Sequence, residues 1–236
     1  MNAKLALLAE GLGTAALLAI VVGSGHMGEQ LAQGNAAVAL LANSLATGAG
    51  LYVLITLLAP VSGAHFNPVV SATMCWRGEL SLRKAAGYIV TQFIGAIIGV
   101  VIAHAMFDLP LLQAGTHARS GAGQWLSEIV ATAGLLATIL LAQRARSTQI
   151  PALVGSYITA AYWFTASTSF ANPAVTLARA LTDTFAGIRP ADVAGFIAAQ
   201  CIGAIIVIAT SRALALRDRR ANAMAVEATS SAGKPS

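Results

Sequence analysis

Charge is scarce in this chain. Asp, Glu, Lys and Arg together make up 10% of the residues against 57% hydrophobic. That excludes an ordinary water-soluble domain, where about a quarter of residues are charged. Cysteine is nearly absent: Cys75 and Cys201 lie in or beside apolar stretches and read as small buried packing residues, not as a disulfide framework. The four histidines, His26, His65, His104 and His117, show no ligand-like spacing, so no metal site is expected. No nucleophile–base arrangement and no phosphate-cradling glycine loop stands out, which argues against an enzyme and against a cofactor. The net charge of +5 does not indicate nucleic-acid binding, because Lys and Arg sit between and after the apolar runs, where topology signals lie. What remains is hydrophobic sequence, with a mean hydropathy of +0.74 and several charge-free runs long enough to span a bilayer. The first run lacks a convincing small-residue cleavage site and reads as a span, not a removed signal peptide.

In chain order, spans are expected at 5–22, 36–58, 85–107, 125–142, 150–165 and 191–214. Two apolar stretches, 67–76 and 172–181, are too short to cross. A polar loop over 23–35, a charged connection over 77–84, a linker over 108–124 and a basic loop over 143–149 separate them. The expected organisation is one membrane domain over 1–216, with repeat 1 at about 5–107 and repeat 2 at about 125–214. A polar, disordered tail is expected over 217–236.

The two short stretches open on related motifs. Ser62-Gly63-Ala64-His65-Phe66-Asn67-Pro68-Val69-Val70 is echoed by Ser169-Phe170-Ala171-Asn172-Pro173-Ala174-Val175. Asn is a good N-cap and Pro suits the first helical turn, so each reads as a helix starting inside the membrane. The surroundings repeat too: Glu10 and Thr14 match Glu128 and Thr132, and Gln92-Phe93-Ile94-Gly95 matches Gln200-Cys201-Ile202-Gly203. Each half has an odd number of crossings, so the second half must be inserted upside down. Inverted repeats with interrupted segments at matching places point to a solute path at the midplane. With both termini cytoplasmic, only Arg119, Arg179 and Arg189 of the 14 basic residues fall outside, as the positive-inside rule requires. Loop carbonyls would then accept, and the Asn67 and Asn172 amides donate, hydrogen bonds to an uncharged solute. A cation would face two positive dipole ends.

These motifs, with Glu10 and Glu128, resemble those of the aquaporin and aquaglyceroporin superfamily over roughly Leu5–Leu214. The resemblance implies an all-α integral membrane fold of six transmembrane helices plus two re-entrant half-helices. It also implies a homotetramer with one pore per subunit, in the inner (plasma) membrane. Family members usually carry Asn-Pro-Ala twice; here the first copy ends in Val69. They normally place Arg directly after the second copy, where this chain has Val175. Ungapped matching to the family puts Thr47, Ala160 and Ser169 at the other filter positions, so a wide, uncharged constriction is expected. That pattern resembles bacterial channels associated with arsenic detoxification.

The expected partners are therefore the lipid bilayer, water and small neutral solutes: metalloid acids such as arsenite, possible methylated arsenicals, and glycerol-like polyols. A mainly water-conducting channel is one alternative, and a secondary transporter with inverted repeats another. Several residues keep two readings. Arg179 either reaches the outer vestibule or binds loop carbonyls or Asp183. Glu10 and Glu128 either accept hydrogen bonds from the re-entrant loops, as the resemblance implies, or relay protons. His65 either lines the inner mouth as a pH-sensitive group or packs its loop.

Overall fold

The computed structural model describes residues 2–232, with side chains as far as residue 213. Helix α1 (Ala3–Leu31) starts on the Asn2 cap, and α2 (Ala36–Ser62) on Asn35, whose side chain accepts from Ala37 and Val38. Then come the short α3 (Pro68–Trp76) and α4 (Leu82–Met106). The second half repeats this order with α5 (Ala122–Arg144), α6 (Ile150–Phe164), the short α7 (Pro173–Arg179) and α8 (Val193–Ala232). Five helices, α1, α2, α4, α5 and the first part of α8, are long and apolar enough to cross a membrane. Helix α6, at 15 residues, is about 22 Å long at 1.5 Å per residue. It nevertheless occupies the place in its half that α2 holds in the first.

Packing follows the repeat. Helix α1 lies against α2 and α4, α5 lies against α6 and α8, and α2 meets α6 across the middle. The sequence-matched glycines explain how close these helices come. Gly95 on α4 lies so near the Gly11 carbonyl of α1 that a Cβ would overlap it, and at Gly203 on α8 a Cβ would stand 2.6 Å from the Ile129 carbonyl of α5. The half-helices occupy the gap that remains between the two four-element halves, α3 packing on α4 and α7 on α8.

Three expectations change. The loop expected over 23–35 is mostly helix, since α1 runs unbroken to Leu31. Gly23, Gly25 and Gly28 are all buried there, and at Gly28 a Cβ would stand 3.1 Å from the Ala39 carbonyl. These glycines therefore serve close packing, not a turn: Gly28 against α2, Gly25 against Ala186 and Asn43, and Gly23 against the Phe107 ring. Cys201 is exposed on the outer face of α8 instead of packed inside, and Cys75 is half-buried; both are free. Helical backbone of α8 continues to Ala232 through most of the expected tail, whose side chains, and whose last four residues entirely, lie outside the described residues.

Candidate functional site

Asn67 and Asn172 are both extended N-caps, and their side-chain oxygens accept from the first free backbone N–H groups of α3 and α7. Pro68 and Pro173 sit at the first helical turn, where no donor is lost. With each oxygen used locally, the amide nitrogens face the opposite half: Asn67 Nδ2 donates to the Ala171 carbonyl at 2.8 Å and Asn172 Nδ2 to the Phe66 carbonyl at 2.8 Å. This reciprocal tie brings the two half-helices tip to tip, as the sequence predicts. A primary amide has two N–H donors, so each Asn keeps one for the cavity that both residues line.

The loops before the caps are held in unusual backbone. Ala64 and Phe66 have φ of +51° and +48°, and the matching Ser169 and Ala171 have +51° and +48°. Left-handed conformations at non-glycine residues cost of order 1–3 kcal/mol each. Here they turn consecutive N–H groups toward a buried carboxylate. Glu10 accepts from Ser62 Oγ, the backbone N–H groups of His65 and Phe66, and Gln92 Nε2, all at 2.6–2.9 Å. Glu128 accepts from the N–H groups of Phe170 and Ala171 and from Gln200 Nε2, at 2.6–2.9 Å. Every partner is a donor, so both carboxylates are spent on holding the loops. Of the two readings for these residues, the geometry matches the loop brace.

Between the halves lies a cavity of about 700 Å³. Its lining runs from Glu79, Lys84 and Thr148 at one end, past His65, Asn67 and Asn172, to Thr47, Tyr162, Val175 and Arg179 at the other. Two helices contribute residues four apart, as one face of a helix must: Thr47, Leu51 and Ile55 from α2, and Val154, Ile158 and Tyr162 from α6. His65 joins the lining by one edge, with Nδ1 3.1 Å from Ser71 Oγ and its ring edge-on to Tyr88.

At the Arg179 end the structure corrects one predicted position. Ala160 is exposed on the outside of α6 and absent from the lining. Tyr162, two residues on, lines the cavity in its stead, its hydroxyl 3.3 Å from Thr47 Oγ1. Two residues turn a helix by about 200°, so a count that misjudges the intervening loop by two lands on the opposite face. The i, i+4 series Val154–Ile158–Tyr162 was the signal available in the sequence. Thr47, Ser169 and Val175 do line the cavity. Ser169 is buried, and its Oγ has no hydrogen-bond partner among the described residues.

Arg179 combines both of its readings in part. Its Nε donates to the Ala186 carbonyl, its guanidinium lies over the Phe170 ring at 3.4 Å, and it lines the cavity. Asp183 is not its partner; that carboxylate accepts from the N–H and hydroxyl of Thr116 instead. The linker has a part the sequence did not reveal. It pairs with the segment after α7 through Gln113 N–H to the Leu181 carbonyl and Gly115 N–H to the Ala180 carbonyl. This carries Arg119 to the same Phe170 ring, 5.0 Å from its centre. Arg119 donates from Nε to the Gly187 carbonyl at 2.9 Å and from a terminal nitrogen to the Ser167 carbonyl at 3.2 Å. Burial lowers its guanidinium pKa from the ordinary value.

A bundle whose two halves each send in a half-helix, the tips joined around a lined cavity, is the architecture of a membrane channel. Comparisons with known proteins agree. The Major intrinsic protein family profile matches residues 1–169. The chain is 55% identical over 204 residues to aquaglyceroporin AqpS of Rhizobium meliloti (strain 1021), covering 86% of this chain and 87% of that one. It is 31% identical over 157 residues to a probable aquaporin PIP2-8 of Oryza sativa subsp. japonica, covering 59% and 54%. The X-ray structure of the aquaglyceroporin from Plasmodium falciparum superposes with a TM-score of 0.71 at 21% identity, covering 88% and 94% of the two chains, and so shares the fold. The chain belongs to the major intrinsic protein family: it is an integral membrane channel, not an enzyme.

Proposed function

We propose that this channel passively conducts small uncharged solutes, metalloid acids such as arsenite foremost and glycerol-like polyols next, together with water. The observation that carries this reading is the pair of cross-tied Asn amides inside one lined cavity. A solute passing them exchanges hydrogen bonds with fixed donors while its carbon or arsenic skeleton rides against Leu51, Ile55, Val154 and Ile158. Such a two-sided wall suits molecules that carry hydroxyl groups on an apolar frame, and As(OH)3 has the size and hydroxyl display of a small polyol. Val175, small and uncharged, leaves the position after the second Asn-Pro-Ala open to solutes larger than water. The likeness to aquaglyceroporin AqpS supports a solute range beyond water.

The filter in this proposal is Thr47, Tyr162, Ser169 and Val175, with Arg179 at its outer edge, while Asn67-Pro68-Val69 and Asn172-Pro173-Ala174 form the central constriction. Glu10 and Glu128 brace the loops. Their saturation by donors leaves no midplane carboxylate free to couple proton movement, which disfavours a secondary transporter. The protein works in the inner membrane with both termini cytoplasmic, as a homotetramer. Stopped-flow uptake into proteoliposomes, comparing water, glycerol, arsenite and a methylated arsenical, tests the proposal. Saturation-free flux of all four supports it; conduction of water alone would replace it with a water channel, and proton-driven accumulation with a transporter.

A further inference from the structure

The outer end of the cavity holds two guanidinium groups, neither of them in an ion pair among the described residues. Arg179 and Arg119 lie on the same ring, Phe170, at 3.4 and 5.0 Å from its centre, so the two guanidinium carbons can be no further apart than those distances combined. Both make side-chain hydrogen bonds to carbonyls and hydroxyls only. Among the described residues neither has a carboxylate within ion-pair reach. The nearby acids are engaged elsewhere. Asp192 takes the Arg189 side chain and only the backbone N–H of Arg119, Asp183 is held by Thr116, and Glu128 acts on both guanidiniums only at a distance, its oxygens taken by Phe170 N–H, Ala171 N–H and Gln200. Ser169 lines the same cavity as Arg179 and directly precedes Phe170 in the chain; it is 3% exposed with an unpartnered Oγ.

A buried guanidinium at Arg179, a half-buried one at Arg119 and an idle buried hydroxyl are costly to leave without a partner. We propose that the outer mouth is a binding subsite for a singly charged oxyanion, a carboxylate or the monoanion of an oxyacid. Arg179 and Ser169 contact it, and Arg119 supplies a second positive charge from its place on the Phe170 ring. A guanidinium fork matches two oxygens held on one centre, and Ser169 Oγ–H is a further donor. The subsite rests on the proposed conduction path and lies at its end, so a bound oxyanion stands in the way of neutral solutes and competes with them.

The test is glycerol flux into proteoliposomes with sodium formate on both sides, titrated against an impermeant sugar at constant osmolarity. Wild-type protein is compared with Arg119→Gln and Ser169→Ala. Formate is expected to lower wild-type glycerol flux saturably, by at least twofold. Arg119→Gln should conduct glycerol but need at least fivefold more formate for the same block. Flux indifferent to formate in wild type, or an equal block in wild type and Arg119→Gln, overturns the subsite while leaving the channel intact. Absence of glycerol flux in wild type without formate would fault the conduction reading instead. Should Arg119→Gln fail to fold, Ser169→Ala takes its place, with its own formate-free flux as the reference: it should need at least fivefold more formate for half block, and an unchanged half-block concentration overturns the subsite. The thermal midpoint of wild type in detergent is a second readout: formate should raise it and an equal concentration of sugar should not, and no rise counts against the subsite.

Discussion

Replacing Glu10 with Gln removes one atom's worth of acceptor and leaves the shape unchanged. The wild-type carboxylate is fully buried and takes four donors. Gln keeps one acceptor oxygen and presents an NH2 where the other was. Gln92 can adapt, because its Oε1 is buried without a partner and an amide flip offers it to the new NH2. The Phe66 N–H cannot adapt, since it belongs to a backbone fixed at φ +48°. An unsatisfied buried donor costs about 1–3 kcal/mol, and each bond that loses its charge assistance about 1 more, for roughly 3–5 kcal/mol in all. At about 2–4 °C per kcal/mol for a chain of this size, the thermal midpoint in detergent should fall by about 10 °C. Phe66 also carries the carbonyl that accepts Asn172 Nδ2, so glycerol flux should fall with it. Glu128→Gln should behave alike, as its donors Phe170 N–H and Ala171 N–H come from the matching loop. A midpoint shift below about 2 °C with unchanged flux would show that these carboxylates do not hold the loops.

Three further outcomes are expected. Val175→Arg places a guanidinium one turn before Arg179 and should cut glycerol and arsenite flux about tenfold, an added barrier of ~1.4 kcal/mol, while water falls less; an equal loss for all solutes in the same stopped-flow assay would reject the filter assignment. Ala160→Leu should leave flux unchanged because the side chain faces outward from the bundle, whereas Tyr162→Phe, which removes the hydroxyl beside Thr47, should alter the glycerol-to-water ratio; a reversed result would restore Ala160 to the path. Asn172→Ala loses the cap on α7 and the tie to Phe66, a combined cost of about 2–4 kcal/mol; thermal melts that match wild type would contradict the tip-to-tip brace.

The half-helices were legible in the sequence because their signals are local and doubled. An Asn cap followed by Pro starts a helix wherever it falls, and the chain contains that pair twice at matching places. Glu10, Glu128, Gln92 and Gln200 were legible for the same reason: polar groups in apolar spans need partners, and they recur in register. Local pattern also misled, where the buried glycines of α1 read as a loop but serve helix contact.

The amino-acid order by itself determined an inverted membrane repeat with two capped half-helices. Those features depend on backbone chemistry within a few residues and on symmetry between the halves. The three-dimensional arrangement alone decided what meets at the Arg179 end of the cavity. Tyr162 replaces Ala160 there because helix phase and loop length, not a residue count, set which side of α6 faces inward. Arg119 stands over the Phe170 ring because the linker pairs with the segment after α7. Contacts between residues tens of positions apart follow from how the chain closes on itself, which no local stretch encodes.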